Sequence, residues 1–165
     1  MNISASYQPQ KFRPMQPKLL QDYTVRQALV MALDKDTILK TVYGEAAILI
    51  DGGIPSSDSW YLSKEDIGLK YQPEVARQLL EENGFDFEET IVLTRYHHDD
   101  MSVKLLEEIA SYWNAIGIKT SIEPIDASQT DKLWEDTDWY DVGLKNLSAV
   151  DYSEWYYEYS KQNQL

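Results

Sequence analysis

From Pro73 onward the chain alternates between two kinds of apolar periodicity, and that alternation limits its fold more than any other feature. Val75, Ala76, Leu79 and Leu80 recur at helical spacing, opened by Pro73 and closed by Gly84. Ile91 to Tyr96 is a run of apolar, β-branched and aromatic residues and reads as a strand. Leu105, Leu106, Ile109, Ala110, Trp113 and Ile116 return to helical spacing, with Asp99 or Asp100 as cap and Gly117 as stop. Ile118 to Ile125 alternates apolar with polar positions and reads as a second strand. Ala127 to Trp134 is expected as a short helix and Tyr140 to Leu147 as a third strand. Asp151 opens a last, aromatic-rich helix. Strands separated by helices lie parallel, with right-handed crossovers. The expected class is α/β, a mainly parallel sheet flanked by helices.

The first half is less regular. Pro9, Pro14 and Pro17 interrupt residues 1–21, which read as an irregular arm with a short strand over Asn2–Tyr7. From Asp22 the stripe Val25, Ala28, Leu29, Ala32, Leu33 predicts a helix over 23–33. Asp34 caps a second helix over 35–43, which Gly44 ends. Residues 45–70 carry turn chemistry, Asp51-Gly52-Gly53 and Pro55-Ser56-Ser57, and read as a long surface loop.

Charge removes several function classes. Fifteen basic against 28 acidic residues leave −13, a surface that repels phosphate backbones and anionic lipid but suits amine-bearing ligands. The chain has no cysteine, hence no disulfide, thiol nucleophile or thiolate metal site. It holds no G-x-S-x-G, no H-E-x-x-H and no phosphate loop, so a hydrolase built on paired carboxylates is a minor alternative. The first residues lack a charged-then-apolar export pattern; if the protein is exported, the expectation is a mature segment or an excised piece.

Four segments carry a resemblance. Asp22 to Gly44 (DYTVRQALVMALDKDTILKTVYG) is similar to the "D-x-x-V-R-x-A" segment of extracellular solute-binding proteins of the peptide and nickel class, family 5. Tyr71 to Phe85 (YQPEVARQLLEENGF), Trp113 to Ile125 (WNAIGIKTSIEPI) and Tyr140 to Glu154 (YDVGLKNLSAVDYSE) resemble later segments of that family, in family order. The resemblance implies one lobe of a type II, periplasmic-binding-protein-like clamshell. Residues 22–165 would be the C-terminal lobe, with an N-terminal lobe and a return strand missing. It implies a binding component of an ABC importer, periplasmic or lipid-anchored on the outer face of the cell membrane. That component would take oligopeptides or a related small solute to a permease, with no cofactor and no nucleic-acid partner. A ligand-sensing domain of a transcriptional regulator built on the same fold is the alternative.

The resemblance also singles out Asp151. In peptide-binding members the aspartate of the "D-Y-p-D" motif pairs with the ligand's α-amino group; Asp151 and Tyr152 match it, while Ser153 and Glu154 replace the proline and second aspartate. An ammonium entering a closed, low-dielectric cleft needs such a counter-charge. Asp151 also suits a helix cap. Ser148, Tyr152 and Trp155 complete the expected ligand-binding set, although Trp155 also suits core packing.

The strand ends supply further polar groups: His97, His98, Asp99 and Asp100, then Asp126 and Ser128. Successive strand residues face opposite ways, so His97 and His98 cannot both serve one metal, and they read as a polar strand end. Arg95 can pair with a ligand carboxylate but reads first as a surface arginine. Arg26 reads as a structural ion pair on the buried side of its helix. Glu135, Asp136, Asp138 and Asp141 read as a solvated acidic face, without EF-hand spacing.

Overall fold

The computed structural model describes residues 20, 22–50, 59, 61, 63, 69–129 and 139–144. Apart from Leu20, the expected arm over 1–21 lies outside them, as do most of the loop over 51–68 and the helix expected from Asp151.

Local chemistry sets the helix ends. Asp22 caps α1 (Tyr23–Met31) by accepting from the amides of Thr24 and Val25 at 2.7 and 3.3 Å. Asp34 does the same for α2 (Lys35–Tyr43), which ends on Gly44 at φ +60°. Pro73 begins α3 (Pro73–Glu82), where a missing amide hydrogen costs nothing. Of the two expected caps for α4 (Asp100–Ala115), Asp99 is the one used; its carboxylate accepts from the Ser102 amide at 2.9 Å.

Among the described residues three strands form one parallel sheet in the order β2-β1-β3: β1 is Thr90–Arg95, β2 Lys119–Ile122 and β3 Val142–Leu144. The parallel pairing follows from the helix between β1 and β2 and the crossover from β2 to β3. The second strand is shorter than the expected 118–125. Pro124 has no amide to donate, yet the segment still leans on β1 through Glu123 N to Leu93 O, 2.8 Å, and Ile125 N to Arg95 O, 3.0 Å. Where a helix over 127–134 is expected, Ala127–Gln129 forms a 3₁₀ turn, and 130–134 lie outside the described residues.

The main core lies on one face of β1. Ile91 and Leu93 meet Val25, Ala28 and Leu29 of α1, Ala76 and Leu80 of α3, and Leu106, Ala110 and Trp113 of α4. Buried Trp113 donates its indole N–H to the Leu29 carbonyl at 3.0 Å, tying α4 to α1. The other face of β1 has a smaller cluster of Val92, Ile125 and Tyr140, packed by Tyr96 and Trp139. Burial on both faces marks a central parallel strand. Arg26, expected on the buried side, is exposed and donates to the Leu20 carbonyl at 3.1 Å.

Candidate functional site

In the order β2-β1-β3 the neighbours of β1 lie on opposite flanks, so the chain reverses direction across it. Open α/β sheets bind ligands beyond the carboxyl ends of their strands at such a reversal. The described residues there are Arg95 to Asp99, which follow β1 into α4, and Glu123 to Asp126, which follow β2.

Arg95 is the last residue of β1 and takes the face of Ile91 and Leu93 by strand alternation. The surface-arginine reading is therefore corrected: its relative exposure is 8%. Nη1 donates to the His97 carbonyl and lies 3.4 Å from His98 Nδ1. Nε is buried and has no hydrogen-bond partner among the described residues. A guanidinium keeps its charge at any physiological pH, so burying one without an anion costs several kcal/mol. Its two-donor edge fits a carboxylate.

The histidines point to different partners. His98 Nε2 lies 2.9 Å from the Ile125 carbonyl oxygen, joining the end of β1 to the segment after β2. The His97 ring stacks on Tyr96 with centroids 4.0 Å apart, and its Nε2 is buried without a partner among the described residues. Asp99 is engaged as a helix cap, and hydrogen bonds from the Ser102 hydroxyl and amide hold its carboxyl below the usual 3.8. Hydrogen bonds from the Ser128 hydroxyl and amide likewise hold the Asp126 carboxyl below its usual value. Among the described residues no three of histidine, aspartate and glutamate stand together as a metal site.

Asp151, Tyr152, Ser148 and Trp155 lie outside the described residues. Of the expected acidic face only Asp141 is described; it is half-buried and engaged with the backbone of β1. Its Oδ2 accepts from the Val92 amide at 2.7 Å and its own amide donates to the Val92 carbonyl at 2.9 Å. It thus begins the pairing of β3 with β1. What the sequence reading missed is the burial of Arg95; the available signal was its place two residues beyond Leu93 on the core face.

The model of bacterial extracellular solute-binding proteins, family 5 middle, matches residues 3–163. The chain belongs to this family. Among family 5 relatives, the dipeptide-binding protein of Escherichia coli (strain K12) is 30% identical over 112 residues, covering 66% of this chain and 21% of that protein. The glutathione-binding protein GsiB of Pectobacterium atrosepticum is 30% identical over 105 residues, 64% of this chain and 20% of that protein. The chain thus spans about a fifth of the length of these curated relatives. Among solved structures, the substrate-binding protein CtaP of Listeria monocytogenes superposes with a TM-score of 0.68 at 20% identity, over 78% of this chain and 27% of that one. The oligopeptide-binding protein AppA of Bacillus subtilis, in complex with a nonapeptide, gives 0.64 at 19% identity, over 80% and 29%. The α/β architecture is therefore that of family 5, whose members are extracellular solute-binding proteins. Among the described residues no helix is long and apolar enough to cross a membrane.

Proposed function

We propose that this chain is the cargo-holding part of an ABC importer's solute-binding component, and that its cargo is a short peptide or a related small solute with an amine and a carboxylate. In this reading residues 22–165 form most of one lobe of a clamshell, outside the cytoplasmic membrane and free or lipid-anchored. The ligand bridges two lobes and shifts them toward the closed form by its higher affinity for that form. The closed form docks on the permease.

One observation carries the ligand class: a buried guanidinium with an unpaired Nε at the carboxyl end of the central strand. Arg95 supplies the positive anchor for a ligand carboxylate, and Asp151, followed by Tyr152, supplies the negative anchor for its ammonium. Ser148, Tyr152 and Trp155 line the same mouth. Fixed opposite charges hold the two ends of a peptide without reading its side chains, which suits a scavenging receptor. The relatives that bind dipeptides, glutathione and oligopeptides support this class.

Calorimetry on the two-lobed receptor tests the reading. Asp151→Ala is expected to weaken a free-amine dipeptide by about 2–5 kcal/mol, the cost of leaving a buried charge unpaired. An N-acetylated dipeptide, which leaves Asp151 without a counter-charge, should bind the variant no more weakly than wild type. Equal affinity of both proteins for the free-amine dipeptide removes Asp151 from the site.

A further inference from the structure

We propose that His98 is the positioning residue of Arg95, and that it selects which edge of the guanidinium faces the ligand. The inference rests on the reading of Arg95 as a carboxylate receptor and adds the element that aims it.

Donor and acceptor chemistry fixes the roles. A guanidinium only donates, so the His98 Nδ1 that lies 3.4 Å from Arg95 Nη1 is the unprotonated ring nitrogen. The Ile125 carbonyl only accepts, so Nε2 at 2.9 Å carries the hydrogen. The imidazole is thus the neutral Nε2–H form, set by its two partners. The backbone closes the arrangement, because the Ile125 amide donates to the Arg95 carbonyl at 3.0 Å. Arg95, through its guanidinium and its backbone carbonyl, the His98 ring and the Ile125 peptide form a ring of three contacts spanning the ends of β1 and β2.

That ring determines what Arg95 has left to offer. The hydrogen bonds it makes among the described residues leave from Nη1, to the His97 carbonyl and the His98 ring. Nε remains buried and unpaired. Nε and Nη2 form a parallel donor pair on the far side of the guanidinium, the geometry that takes both oxygens of a carboxylate. Without an acceptor at His98 Nδ1, the planar group keeps one bond, from Nη1 to the His97 carbonyl, and can pivot about it to present that pair elsewhere.

Two variants separate positioning from mere tethering. In His98→Asn the side-chain oxygen stands near the Nδ1 position and keeps the acceptor toward Arg95. In His98→Gln the amide nitrogen stands near the Nε2 position and keeps the donor toward Ile125. The measurement is a nuclear magnetic resonance titration of the 165-residue chain with acetate, read at the Arg95 Nε–H signal. Backbone amide spectra check that each variant is folded. Wild type and His98→Asn should bind acetate within about twofold of each other, and His98→Gln about tenfold more weakly. Equal affinity of His98→Gln and wild type, or an equal loss in both variants, overturns the positioning role. No saturable acetate shift in wild type overturns the carboxylate reading of Arg95 beneath it. The imidazole nitrogen spectrum at pH 8 tests the positioning role independently of any anion: Nε2–H supports it, and an Nδ1–H tautomer overturns it.

Discussion

Single side chains decide how the sheet and helices are joined. Gly117 sits at φ +92° directly after α4, a backbone conformation that costs a side-chain-bearing residue about 1–3 kcal/mol. A Cβ there would also meet the Arg77 guanidinium, which donates to the Ile116 carbonyl, pairs with Glu81 at 2.9 Å and covers the Phe87 ring at 4.7 Å. Gly117→Ala should therefore lower the unfolding free energy measured by chemical denaturation by an amount in that range. Trp113→Phe should cost about 1–3 kcal/mol in the same measurement, because it keeps the ring's burial but leaves the Leu29 carbonyl without its donor. Asp99 gives a pH signature. Its folded carboxyl titrates below the usual 3.8, so its stabilising contribution is present above about pH 4 and is lost as pH falls through the folded value. Asp99→Asn lacks that titration. The stability difference between wild type and variant should shrink on acidification below about pH 4, followed by chemical denaturation across the acid range.

Among the elements, β1 is the one on which the others converge, since it pairs with both other strands and buries both faces. Leu93 is fully buried at its centre, and Leu93→Ala should cost about 2–5 kcal/mol by equilibrium unfolding. The helices were legible in the sequence because each carries an apolar stripe and a local cap: Asp22, Asp34, Pro73 and Asp99 all act within one turn of the residues they serve. The parallel order of β1 and β2 was legible because α4 lies between them. Long-range information was not. Asp141 reads as a solvated acid until Val92, 49 residues away, is placed beside it. Arg95 reads as exposed because charge at a strand end usually is, and the alternation through Ile91 and Leu93 was the stronger signal. The second strand reads as longer in the sequence because the alternation runs on to Ile125; strand geometry stops at Ile122, although Glu123 and Ile125 still donate to β1. The binding residues expected around Asp151 rest on the family motif.

As a whole molecule, the chain is proposed to be one wall of a closing trap. The reversal of strand order at β1 puts Arg95, His98 and the segment after β2 at one edge of the sheet. Half a cleft gives a ligand half its contacts, so the 165-residue chain alone should show no calorimetric binding of a dipeptide at micromolar concentrations. Micromolar affinity of the chain alone would contradict the two-lobed reading. The most direct measurement is a crystal structure of the proposed two-lobed receptor with a bound dipeptide. The ligand carboxylate is expected on the Nε edge of Arg95 and its ammonium on Asp151. A dipeptide bound away from the carboxyl edge of β1, with Arg95 paired instead to a carboxylate of the protein itself, would contradict that placement.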